Sequence, residues 1–175
     1  MGSGSGNERD RDAILSLMVV PGRRPPADPL EVLRRVDEHD GQAWATRLLR
    51  QALATEDDEA VELAMIVVAS FGPSRDQLPC LLRLSGDDWH HSHENIALVL
   101  DRLGSEESVD ALRHLAEWVP SYLDYDEHRA LAVKAVHALR KIPGEASEEA
   151  LSALSRSDSP VVRDCATEQL RRRNG

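Results

Sequence analysis

The densest grouping of side chains able to do chemistry lies between Asp87 and Glu94, where His90, His91, His93 and Glu94 follow Trp89. Imidazoles and carboxylates three or four positions apart on a helix can converge on one ion, with Asp87 or Asp124 completing the set. The run His93-Glu94-Asn95-Ile96-Ala97 departs from the HExxH pattern of zinc peptidases at its last position, so no such motif forms. A metal site needs ligand count as well as ligand type, and neither a metal nor any other cofactor is expected. A Trp-His-His cluster at a helix start reads instead as a packing and capping element, or as a contact surface with a titratable edge. The chain has no GxSxG, no P-loop and no Gly-rich dinucleotide turn. Cys80 and Cys165 lie far apart in apolar helical patterns, with no CxxC or Cys/His ligand spacing around either, and read as small buried hydrophobes. These residues point to binding, with no catalytic set assigned.

Four of the six aromatic residues, Trp89, Trp118, Tyr122 and Tyr125, fall in two consecutive connecting stretches. Tyr and Trp are enriched where binding energy concentrates, and loops carry specificity. Trp118 and Tyr122 either fold the longer stretch against its neighbours or face a partner; Asp124 and Tyr125 are the stronger contact candidates. Charge follows the aromatics. Residues 1–55 hold eight acids and eight bases, 56–127 hold seventeen and four, and 128–175 hold six and nine, so the middle third, at -13, holds the whole acidic excess behind the net charge of -10. Such a surface repels phosphate backbones and steers basic partners, which disfavours direct nucleic-acid binding; solubility alone accounts for the same charge. The acids also complement helix N-termini, at about 0.3–1 kcal/mol each.

The elements that must hold these residues are helices. After a possible short helix over 12–20, prolines at 21, 25, 26 and 29 mark residues 1–29 as a disordered or extended arm with a Pro-rich linker. From Leu30 to the end apolar residues recur at helical spacing, interrupted by Gly41, Gly72-Pro73, Gly104, Pro120 and Pro143-Gly144. Ser74-Arg75-Asp76-Gln77 has capping-box spacing, and Ser159-Pro160 opens a last helix. No strand pattern occurs, and no apolar run approaches the roughly 18 residues of a membrane span. A secretory signal and a myristoylation pattern are also lacking, so cytoplasmic residence is expected.

Corresponding apolar positions repeat. Val68, Leu100, Leu139 and Leu170 are separated by 32, 39 and 31 residues, and Leu81, Leu112 and Leu151 by 31 and 39, placing one insertion near Pro120 to Glu127. With this spacing, Leu78-Pro79-Cys80-Leu81 entering one helix, Val162-Arg163 opening another and Leu100 to Gly104 closing a third, the chain resembles the HEAT-like repeat family in its short, phycobilisome-lyase-type form. Ser92-His93 in place of Val-Arg, Pro143 in place of glycine and the insertion depart from the family pattern. The resemblance implies an all-α fold over residues 30–175, a right-handed α-solenoid of about four helix pairs with an extended surface for proteins, and implies no reaction.

The expected function is therefore a non-enzymatic protein-binding module, docking a basic protein through Trp89, His90, Glu94, Tyr122, Asp124, Tyr125 and Asp126. Small bacterial proteins of this look include immunity proteins that neutralise toxins. The alternative, by analogy with lyase-type members, is an enzyme or a metal or small-molecule binder using the same groove.

Overall fold

The computed structural model describes residues 4–19, 21–22 and 25–174, and the side chains of these from residue 10 to residue 173. The chain is all-helical: among the described residues there are ten α-helices, three short 3-10 turns and no strand. They fall into two compact units that divide at Cys80–Leu81.

The first unit holds α1 (Gly4–Leu15), α2 (Pro29–Arg35), α3 (Gly41–Thr55) and α4 (Asp58–Phe71), followed by a 3-10 turn over Arg75–Gln77. The expected extended arm is corrected here: α1 packs on α2 and α4, Ala13, Ile14 and Leu17 are buried, and the Pro-rich return is tied down by Ala27 N–H donating to the Ser16 carbonyl at 2.8 Å. Residues 1–3 of that arm, and Val20, Arg23 and Arg24, lie outside the described residues. Helices α3 and α4 form a hairpin because the chain can reverse in two residues. Glu56 adopts the left-handed conformation that ends α3, and Asp57 caps α4 by accepting the Ala60 N–H at 3.2 Å. The pair closes on Trp44 and Phe71, whose rings meet edge to face at 6.2 Å. Gly41 lies under the Phe71 ring, where a Cβ would overlap it. Of the expected capping box the Gln77 half is present: Ser74 N–H donates to Gln77 Oε1 at 3.1 Å.

The division between the units falls inside α5 (Leu78–Leu84). The second unit continues with α6 (His93–Leu103), α7 (Val109–Glu117), α8 (Ala130–Lys141), α9 (Glu145–Leu154) and α10 (Pro160–Asn174). Helix α8 is its centre and packs against α6, α7, α9 and α10. Its buried Ala132, Ala135 and Ala138 let those neighbours approach closely, while Leu100, Leu112, Leu115, Leu139, Ile142 and Leu151 fill the core without exposure. A core of this size built on leucine and alanine leaves the larger rings to do something else.

Candidate functional site

Those rings gather at one end of the second unit, between the residues leading into α6 and the connection from α7 to α8. After α5 the chain turns through Asp87 N–H to the Leu84 carbonyl, and the Asp87 carboxylate accepts from Arg83 Nε at 3.3 Å. His90 is then fully buried. Its Nδ1 accepts the Ser92 N–H at 3.2 Å, which places the proton on Nε2, and that N–H donates to the Leu84 carbonyl at 2.8 Å. A ring with both nitrogens bonded to backbone is neutral, satisfied and inaccessible. The expectation that His90 touches a partner is therefore corrected: its work is to hold the turn into α6.

His93, the first residue of α6, is equally buried. Its Nε2–H donates to the Asp87 carbonyl at 2.8 Å, and its Nδ1 lies 2.9 Å from the Tyr122 hydroxyl, which donates to it. Burial is the main cause that pushes its pKa from 6.5 down to about 4; the neighbouring His90, His91 and His114 add to the shift, and the bond to Asp87 opposes it. The rings form a continuous set of contacts. His90 stacks on His93 at 4.2 Å, Trp89 meets His90 edge-on at 5.0 Å, Trp118 meets His93 edge-on at 4.9 Å, and His91 meets Tyr122 edge-on at 4.7 Å.

The same arrangement argues against metal binding on chemical grounds. The lone pairs that would ligate an ion, on Nδ1 of His90 and of His93, are occupied by N–H and O–H donors, and Asp87 offers His93 its backbone carbonyl instead of its carboxylate. Among the described residues no three His, Cys, Asp or Glu side chains are placed to hold an ion.

The connection from α7 to α8 is fastened at both ends. Arg129, in the left-handed conformation at φ 50°, directs Nη2 to the carbonyls of Ala116, Glu117 and Trp118 at 3.3–3.5 Å, and so closes the end of α7. Asp126 caps α8: Oδ2 accepts the Ala130 N–H at 2.6 Å and Oδ1 the His128 N–H at 3.1 Å. Between these points a 3-10 turn over Ser121–Leu123 presents Tyr122 to His93. The next residues, Asp124 and Tyr125, face outward, and Tyr125 is 77% exposed.

The seven residues expected at a contact surface thus separate by role. Trp89 and Tyr122 are half-buried in the ring set, and His90 is wholly inside it. Glu94 is half-buried and paired with Lys134 of α8. Asp126 is a helix cap, and Asp124 and Tyr125 lie on the surface with the exposed Glu127 beside them. His114 and Arg129 were missed by sequence reasoning. His114 stacks on Trp118 at 5.2 Å, a pairing the i, i+4 spacing could have signalled, whereas nothing local marks the reach of Arg129 back across the loop. In the first unit, Asp57 and Glu59 have structural partners in the α4 cap and Arg11, the helix-terminus use of acids weighed above.

No protein-family model matches the chain, and neither a curated protein nor a solved structure matches it.

Proposed function

We propose that the chain is a non-enzymatic protein-binding module that docks a basic protein through the loop between α7 and α8. One observation carries this reading: Tyr125 is exposed at the crest of a loop clamped by Arg129, Asp126 and Tyr122, with Asp124 and Glu127 beside it. A rigid loop presenting an aromatic ring costs little conformational entropy on binding, and flanking carboxylates supply the long-range attraction for a cationic partner. Helix pairs stacked as a right-handed HEAT-like solenoid are the architecture proposed with it, and a cytoplasmic protein that neutralises a basic toxin is its most specific form. No helix among the described residues is long and apolar enough to cross a membrane.

The test is a pull-down from the source organism's lysate with the intact chain and with Asp124→Lys/Tyr125→Ala, at low and raised salt. A basic protein retained by the intact chain, lost in the variant and weakened by salt supports the reading. Retention by both forms alike, or of nothing, sinks it.

A further inference from the structure

One cleft in the second unit runs against the charge of the chain. Arg113 of α7, Arg129 at the start of α8 and Arg156 beyond α9 line a space of about 510 Å³, together with the Ser157–Ser159 turn, and Glu117 and Asp158 are its acids. Three guanidinium groups against two carboxylates make the cleft positive in a chain of net charge -10.

The acids do not neutralise the arginines evenly. Glu117 lies 3.7 Å from Arg113 Nε. Arg129 and Arg156 have no carboxylate within 4.0 Å among the described residues. Arg129 commits Nη2 to the end of α7, and Arg156 commits Nη1 to Ser152 Oγ at 3.1 Å. Their remaining N–H groups have no protein acceptor among the described residues. A guanidinium presents its donors as a planar fork that matches two oxygens of a phosphate or carboxylate, and it keeps its charge at every physiological pH.

We propose that the cleft between Arg113, Arg129 and Arg156 binds a small oxyanion, a phosphate group being the chemistry it fits. A small ligand is favoured over a polyanion by the rest of the surface. An extended phosphate backbone would have to lie along exposed acids, whereas a compact anion in the cleft is screened at moderate salt from all acids more than about 10 Å away. The cleft shares Arg129 with the anchor of the α7–α8 loop, which uses only Nη2 of that side chain, and an anion bound there needs no protein partner.

Calorimetric titration of the full chain at low ionic strength, with inorganic phosphate in one arm and glycerol phosphate in the other, tests this against a chloride control. Saturable one-to-one binding with a dissociation constant of about 1 mM or tighter is expected. It should weaken by about tenfold or more in Arg113→Gln/Arg156→Ala, which leaves the capping Arg129 in place. Tighter binding of the monoester assigns the rest of the cleft to the rest of the molecule; equal binding assigns the site to the phosphate group alone. Absence of saturation by roughly 20 mM overturns the proposal, as does binding that chloride reproduces or that the double variant retains. Should the double variant fail to fold, Arg156→Gln, which gives up a single bond to Ser152, carries the same comparison.

Discussion

Tyr122 and His93, 29 positions apart, meet through one hydrogen bond of 2.9 Å in which the phenol donates to Nδ1. Because Nε2–H is already given to the Asp87 carbonyl, the imidazole can accept from Tyr122 only while it is neutral. The order of the α7–α8 loop is therefore tied to the charge state of a buried ring.

Stability should fall on mild acidification. His93 has a pKa of about 4 in the folded chain against 6.5 unfolded, so the unfolded state binds the proton first. Its contribution is fully present above pH 6.5 and is lost as pH falls towards 4, reaching roughly 2 kcal/mol by pH 5. Urea unfolding at pH 7.5 and pH 5 measures this, and His93→Gln, which does not titrate, should flatten the difference. An equal slope in the variant would assign the loss to other groups.

Replacing Arg129 separates two effects. Arg129→Ala removes the groups that close α7, at a cost of about 1–2 kcal/mol, and keeps the left-handed Cβ that arginine already carries. Arg129→Gly loses the same guanidinium but relaxes the backbone, and should be more stable than the alanine variant by about 1 kcal/mol. Thermal melts of the two variants decide the order.

Gly41→Ala ought to reverse the usual sign of a helical glycine replacement. The added Cβ overlaps the Phe71 ring, and displacing that ring costs about 1–3 kcal/mol, more than the roughly 0.5–1 kcal/mol a helix gains from alanine. Phe71→Leu opens the space, so the same substitution in that background should be much less harmful, as a double-mutant cycle would show.

Asp124→Lys and Tyr125→Ala should leave stability within about 0.5 kcal/mol, since both side chains are exposed. Loss of affinity for a captured basic partner should be about tenfold or more for each. A variant that unfolds more readily than this would mean that the loop surface belongs to the fold.

Much of the architecture was legible because helix ends are written in local chemistry. Gly72 and Gly104 end α4 and α6 with positive φ, and Pro160 opens α10. Helix α1 was legible only in part, because its glycines and charges carry no apolar period and burial of Ala13, Ile14 and Leu17 against other helices holds it. The site was less readable for a different reason. A histidine joins a core when backbone groups satisfy both nitrogens, and His90 meets them at the Leu84 carbonyl and the Ser92 N–H, contacts that its residue type does not announce. Asp126 likewise looks like any surface acid until the α8 amide is seen above it.

The placement of the indoles has an optical consequence. Trp44 is sealed in the first unit, while Trp89 and Trp118 both lie among the rings of the second. Each unit thus has its own intrinsic fluorophore, and Trp44→Phe leaves emission that reports on the second alone. Denaturation curves recorded before and after that change will coincide if the chain melts as one cooperative body, and will separate into two midpoints if each half keeps its own.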